Sequence, residues 1–342
     1  MNFAAPQSPP RPLVSVSQSP IIAKIRGFQD RPRRLGKLAD DAFKVLVLIC
    51  ALSVLGILSL ISYELITQSH LSIVQFGLKF FFGQNWDPVA GDFGAFPFIY
   101  GTLVSSLIAL LLAVPLGVGV AIFLTEMCPR SLRGPLSFTT ELLAAIPSVI
   151  YGLWAIFVLA PLIRFRLEPF LARYFGWTGL FSGPQYGIGM LAAGIILAVM
   201  VIPIVSSISR EVLTAVPQNQ REAALALGAT RWEMIRIAVL RNARAGILGA
   251  IILGLGRALG ETMAVTMVIG NRAEIAKSLF APGYTMASVI ANEFAEAPDA
   301  LYRSALIEIG LALFIVTIIV NACARLLVWS ITRGVPARVH AQ

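Results

Sequence analysis

The sequence predicts an all-α membrane protein with six transmembrane helices and both termini in the cytoplasm, on three observations. Hydrophobic residues make up 57% of the 342-residue chain and charged residues only 13%, with a mean hydropathy of +0.80. That is far more apolar surface than a soluble domain of this length can hide. The apolar residues gather in six runs, near 43–66, 100–125, 138–163, 187–209, 246–270 and 305–329, each long enough to cross about 30 Å of hydrocarbon as a helix. With the N-terminus placed inside, Lys and Arg fall 19 on the inner side and seven on the outer, and Arg257 lies within a span. The positive-inside rule then sets the orientation. The net charge of +9 does not point to nucleic acid, because the cations flank apolar runs, where membrane orientation accounts for them.

Residues 1–42 contain Pro and Ser and the cluster Arg31, Arg33, Arg34 and Lys37, with almost no apolar periodicity. They read as a disordered basic cytoplasmic tail. The tail is too long, and the apolar run after it too extended, for a cleaved signal peptide, so the first span stays as an anchor. The six-helix transmembrane body is expected over 43–334, with a short cytoplasmic tail at 335–342. Between the first two spans lies "FGLKFFFGQNWDPVAGDFGAFPFIYG". It reads as an interfacial helix at about 71–82 followed by a Gly/Pro-rich loop, its aromatic rings either anchoring at the headgroup boundary or docking an external partner. Pro115, Pro147 and Pro203 fall inside the second, third and fourth spans, where each removes a helical hydrogen bond. Such breaks either bend helices around a path or are tolerated by packed neighbours. Arg164, Arg166 and Arg173 are placed in the connection to the fourth span, the side on which they fit the orientation least well.

Cys50, Cys128 and Cys323 are odd in number and sit in or beside spans, so they read as small buried hydrophobes. The two histidines, His70 and His340, have no partner at metal-ligand spacing, and no metal or other cofactor is expected.

Between the fourth and fifth spans, "REVLTAVPQNQREAALALGATRWEMIRIAVLRNARAG" (210–246) is helical by local signals yet too polar to span. Pro217 suits a first helical position and Gly228 a left-handed stop, which delimits a short helix at about 217–227, roughly 16 Å long. Thr230 and Glu233 then form a capping box for a second helix. Within it, "EAALALGATRWEMIRIAVL" resembles the EAA loop of ABC-transporter permeases. Glu222, Ala223, Ala224 and Gly228 match the pattern, and Leu240 matches its Leu, but Arg241 stands where Pro is usual. The elements "FGAFPFIYGTL" (93–103), "ELLAAIPSVIYGLW" (141–154), "IPIVSSISREVLTAVP" (202–217) and "GLGRALGETMAVTMVIGN" (254–271) resemble, in the same order, PstC-type permeases of bacterial phosphate ABC transporters. The related PstA-type permeases share the "RALGET" stretch, whereas "MAVTMVIGN" and "FGAFPFIYGT" are similar to the PstC type.

The resemblance implies a MetI-like fold of the type I ABC importers in the bacterial inner membrane. It also implies pairing with a homologous PstA-type permease, two PstB-type ATP-binding subunits docked at the EAA helix, and an external PstS-type phosphate-binding protein. The chain has no G-x-x-x-x-G-K-[ST] loop, so ATP hydrolysis is expected in the separate subunits and no enzymatic activity here. A docking helix for a motor also argues against a passive anion channel.

Arg257 and Glu261 are at i and i+4 on the fifth apolar run, which places both on one helical face. Gly256 and Gly260 form a small-xxx-small pair one position away, through which another helix is expected to approach. A lone Arg at mid-bilayer costs roughly 2.5–3.5 kcal/mol on insertion scales. Either the two charges simply neutralise each other, or Arg257 balances an anion in transit while Glu261 holds it between passages. Thr262 and Thr266 are expected to add hydroxyls along the same helix.

Overall fold

The computed structural model describes residues 20–332, with side chains from 40 to 330. Six of the described helices are long and apolar enough to cross a membrane: Asp40–Gln68, Phe96–Met127, Ser148–Thr178, Met190–Thr214, Arg231–Leu259 and Ala300–Ser330. The chain divides into two units, Met1–Tyr63 and Glu64–Gln342.

Helix α1 (Pro20–Gln68) carries the first unit. Residues 20–42, expected to be disordered, are wound into it; extending a helix already nucleated in the span costs no new nucleus, and Arg, Leu, Lys and Ala favour the extension. Residues 1–19 and the 335–342 tail lie outside the described residues. No side chain between Asp40 and Tyr63 is buried. An apolar surface of that kind has to be covered by lipid or by another chain. Cys50 here and Cys323 in the last helix are therefore exposed, contrary to the expectation of buried cysteines, while Cys128 is buried.

In the second unit the expected interfacial helix is two pieces, α2 (His70–Phe76) and α3 (Lys79–Phe82), parted where Gly77 takes φ +55°. A two-residue antiparallel ribbon, β1 (Trp86–Asp87) with β2 (Asp92–Phe93), follows. The aromatic run is mostly neither anchor nor docking face. Phe80, Phe93 and Phe98 are fully or almost fully buried, and the Trp86 ring stands edge-on to Phe98 at 4.9 Å. Trp86 Nε1 and Tyr302 Oη both donate to Glu293 Oε2, at 2.9 and 2.6 Å. The rings close a core because the ribbon folds them back over the helix ends; among the large apolar side chains of this stretch Leu78, Phe82 and Val89 stay outward.

Helix α4 (Phe96–Met127) passes through Pro115 unbroken and ends in a π turn at Phe123–Met127. The third apolar run, by contrast, is divided. Helix α5 (Arg130–Ala145) stops, Ile146 and Pro147 are extended (ψ 129° and 139°), and α6 (Ser148–Thr178) begins. The residue before a proline avoids the helical region, and here nothing overrides that preference. The third span thus starts at Ser148 and takes in Arg164, Arg166 and Arg173, which the sequence reading placed in a loop. Its 31 residues reach about 46 Å, which places Arg173, about 38 Å from Ser148, beyond an apolar layer of about 30 Å, and Arg164 and Arg166, about 24 and 27 Å along, toward its far edge. Glu168, buried near that end, accepts the Gly187 N–H at 3.0 Å and pins the return to α7.

Helix α7 (Met190–Thr214) is the centre of the unit and the most buried of the six spans. Its small residues and the glycines opposite set the packing distance. A Cβ at Gly194 would lie 2.4 Å from Ile108 of α4, and one at Gly117 of α4 would lie 3.0 Å from Val205. After α7 come α8 (Gln218–Ala226), α9 (Arg231–Leu259), α10 (Met263–Thr266), α11 (Met286–Glu293) and α12 (Ala300–Thr332).

Candidate functional site

The fifth span does not run to residue 270. Helix α9 ends at Leu259, Gly260 caps it with φ −98° and ψ 1°, and the chain re-enters one short turn, α10, after Thr262. Glycine is about 1 kcal/mol poorer than alanine in a helix, and the carboxylate that follows it offers the backbone another partner. Glu261 Oε1 accepts from the Ala264 N–H at 3.4 Å while its Oε2 lies 3.2 Å from Arg257 Nη2. Arg257 and Glu261 therefore meet, as their spacing predicts, but across a helix break. The two partners differ in exposure. The Glu261 side chain is 4% exposed and that of Arg257 46%.

The other expected members of this group are placed differently. Thr262 is the entry to α10, not part of α9, and its hydroxyl lies 3.4 Å from the Gly260 carbonyl. Thr266 Oγ1 donates to the Thr262 carbonyl at 2.7 Å, and its own carbonyl accepts from Asn271 Nδ2. These hydroxyls do not line one continuous face with Arg257, because the break at Gly260 turns the chain. Helix α10 is pressed instead onto α6, where a Cβ at Gly152 would lie 2.4 Å from Met267 Sδ.

Among the described residues, Gly256 and Gly260 do not pack closely against another helix. A Cβ at Gly256 would meet nothing within 4 Å, and one at Gly260 only the Gly256 carbonyl at 3.6 Å. Both line a groove of about 240 Å³ facing Gly310 and Phe314 of α12. The close approaches on α9 come at Gly246 against Val212 and Gly254 against Val201 and Val205. Helical period explains the substitution. The face of α9 that meets α7 carries residues 243, 247, 250, 254 and 258, all buried, and 256 lies off it.

At the other end of α9, helix α8 matches the expected short helix. Pro217 is its extended N-cap rather than its first residue, and Gly228 closes it with φ +86°, where a Cβ is strained and glycine is not. The Thr230–Glu233 capping box is formed in both directions. Glu222, Ala223 and Gly228 are exposed and Ala224 half-buried, with Leu225, Leu227 and Trp232 also outward. An exposed helix with apolar ends is a surface suited to another protein.

Sequence reasoning missed what holds that helix. Arg221, in its first turn, is buried. Its Nη2 and Nε reach Glu126 Oε1 of the π turn in α4 at 2.9 and 3.2 Å. Nη2 also donates to the Leu213 carbonyl at 2.8 Å, and Nη1 donates to the Val216 carbonyl. Next to it, Gln220 Oε1 accepts from Asn242 Nδ2 of α9. One signal was present in the sequence: a cation in the first turn opposes the helix dipole, so Arg221 is there for a partner elsewhere.

The profile of the family described as binding-protein-dependent transport system inner membrane component matches residues 113–333. The chain is 46% identical over 308 residues to the phosphate transport system permease protein PstC of Mesorhizobium japonicum, with 89% of this chain and 94% of that protein covered. It is also 46% identical over 299 residues to the protein of the same name from Xylella fastidiosa, covering 86% and 92%. A bacterial ABC transporter involved in the import of the acidic polysaccharide alginate superposes with a TM-score of 0.51 at 16% identity, over 69% of this chain and 79% of that one. The last likeness concerns the fold alone.

Proposed function

The chain belongs to the binding-protein-dependent transport system inner membrane components, a permease of the phosphate-transport type, and from that premise we propose that Arg257 carries the anion through the membrane. It is a multi-pass transport component with the permease fold, not an enzyme, and it works within an ABC transporter together with other subunits.

The observation that carries the assignment is the asymmetry of the Arg257–Glu261 pair. A guanidinium is always charged and presents five donors in a planar fork suited to oxyanions. Among the described residues Glu261 is its one ion-pair partner, and half of the side chain is open. The carboxylate, in contrast, is buried behind the break and tied to the backbone. The accessible member is thus the cation. Phosphate competes with Glu261 for Arg257 on entry, and Glu261 recovers it on release, so the anion is not trapped. Thr262 and Thr266 stand on the chain leaving the break, off the face of Arg257, and their hydroxyls are assigned to the path beyond it.

The partners follow from the same reading. A homologous PstA-type permease supplies the other half of the path, an external PstS-type protein delivers phosphate, and two PstB-type subunits hydrolyse ATP. With both termini cytoplasmic, the exposed face of α8 at Glu222, Ala223, Ala224 and Gly228 docks one ATP-binding subunit. The permease body is assigned to 43–334, with membrane lipid around it; Gly256 and Gly260 offer their open groove to a helix from outside the chain.

The test is phosphate uptake by cells expressing Arg257→Gln at wild-type membrane levels. Uptake is expected to fall at least tenfold; wild-type uptake rules the assignment out.

A further inference from the structure

We propose that Arg221 and Glu126 form a strut that converts movement of the docking helix α8 into movement of the spans, so that they are positioning residues for coupled transport. The inference rests on the reading of α8 as the ATPase-docking element and deepens it.

Three elements meet at one guanidinium. Arg221 belongs to α8, its carboxylate partner Glu126 to the end of α4, and its two carbonyl partners, Leu213 and Val216, to the end of α7 and the residues just after it. The side chains of Arg221 and Glu126 are 11% and 8% exposed. A charge pair this deeply covered keeps its geometry, because losing one partner strands the other in a site with little water. The Leu213 carbonyl stands in the last turn of α7, where intrahelical donors run out, and accepts from Arg221 beside a 3.3 Å bond from the Val216 N–H, so Arg221 also ties down the end of α7. One residue earlier, Gln220 is bonded to Asn242. Asn242 and Arg257 are both on α9, 15 residues or about 22 Å apart along the axis.

A push on the exposed face of α8 therefore cannot be absorbed by a loose loop. It is delivered to α4 and α7 through Arg221 and to α9 through Gln220, and α9 ends at the cation proposed to carry phosphate. The apolar cluster beneath, with Leu213, Met234, Ile235 and Val239, stiffens the same junction. A purely structural role for the pair requires only that the complex assemble. A strut requires that ATP hydrolysis and transport separate when it is cut.

The experiment uses the complete transporter, with this chain carrying Arg221→Gln or Glu126→Gln, purified and reconstituted with the phosphate-binding protein. Three quantities are read: ATPase subunit retained, ATP hydrolysis, and phosphate moved per ATP. Both variants are expected to keep the ATPase subunit and hydrolyse ATP within about twofold of wild type, while phosphate per ATP drops at least fivefold. The charge-reversed pair, Arg221→Glu with Glu126→Arg, is expected to recover part of that ratio. A wild-type ratio in either single variant overturns the strut. Failure of both variants to assemble overturns it too, because the pair would then be a folding element alone. Glu222→Lys in parallel separates this from the docking reading: if that variant keeps its ATPase subunit and normal stimulation, the docking site is misplaced, whatever Arg221 does.

Discussion

At the scale of single residues, the behaviour of the pair at the helix break depends on the shape of the cation as well as its charge. Lysine at position 257 keeps the positive charge but has a compact ammonium in place of the planar fork. Arg257→Lys is expected to transport phosphate measurably, between wild type and Arg257→Gln, when initial uptake rates are compared at equal expression. Removing the competing carboxylate has the opposite signature. With Glu261→Gln the anion meets no rival for Arg257, so both KM and maximal uptake rate are expected to fall; a raised KM would show that Glu261 assists binding instead. The i, i+4 spacing of these two residues made their meeting legible in the sequence. The burial of one and the exposure of the other was not, since it arises from which side of the Gly260 break each falls on.

At the scale of elements, glycines divide into those that pack and those that do not. A Cβ at Gly254 would lie 2.9 Å from Val201 Cγ1 and 3.0 Å from Val205 Cγ2. Overpacking of such a contact typically costs about 1–3 kcal/mol, so Gly254→Val is expected to lower the thermal unfolding midpoint of the detergent-purified chain. Gly256→Ala meets open space and is expected to leave it unchanged; a comparable drop would contradict the open groove. Pro147 teaches a related lesson. All three span prolines look alike in sequence, yet Pro115 and Pro203 are carried inside helices while Pro147 ends one. Close packing of α4 against α7 supports both of those helices through the missing bond, whereas α5 buries no residue and is joined to α7 by the exposed Glu141–Arg210 pair.

At the scale of the whole molecule, orientation can be read directly. On the proposed orientation, with both termini cytoplasmic, Leu227 at the end of α8 faces the inside and Val89, in the turn between β1 and β2, faces the outside, and both are highly exposed. A membrane-impermeant maleimide is expected to label Val89→Cys in intact spheroplasts and Leu227→Cys only in inverted vesicles; the reverse pattern inverts the topology. The number of spans, the short helix between the fourth and fifth, the capping box that follows it and the family were all legible in the sequence, because length, hydropathy and local hydrogen bonding depend on neighbours along the chain. The strut at Arg221, the aromatic core under β1 and β2, the true packing glycines and the break at Gly260 were decided only by tertiary structure. Each depends on what a side chain or a carbonyl meets from a distant segment, as when Arg221 meets Glu126 across 95 positions. In a membrane, where apolar residues suit lipid and protein neighbours equally well, hydropathy by itself does not distinguish the two.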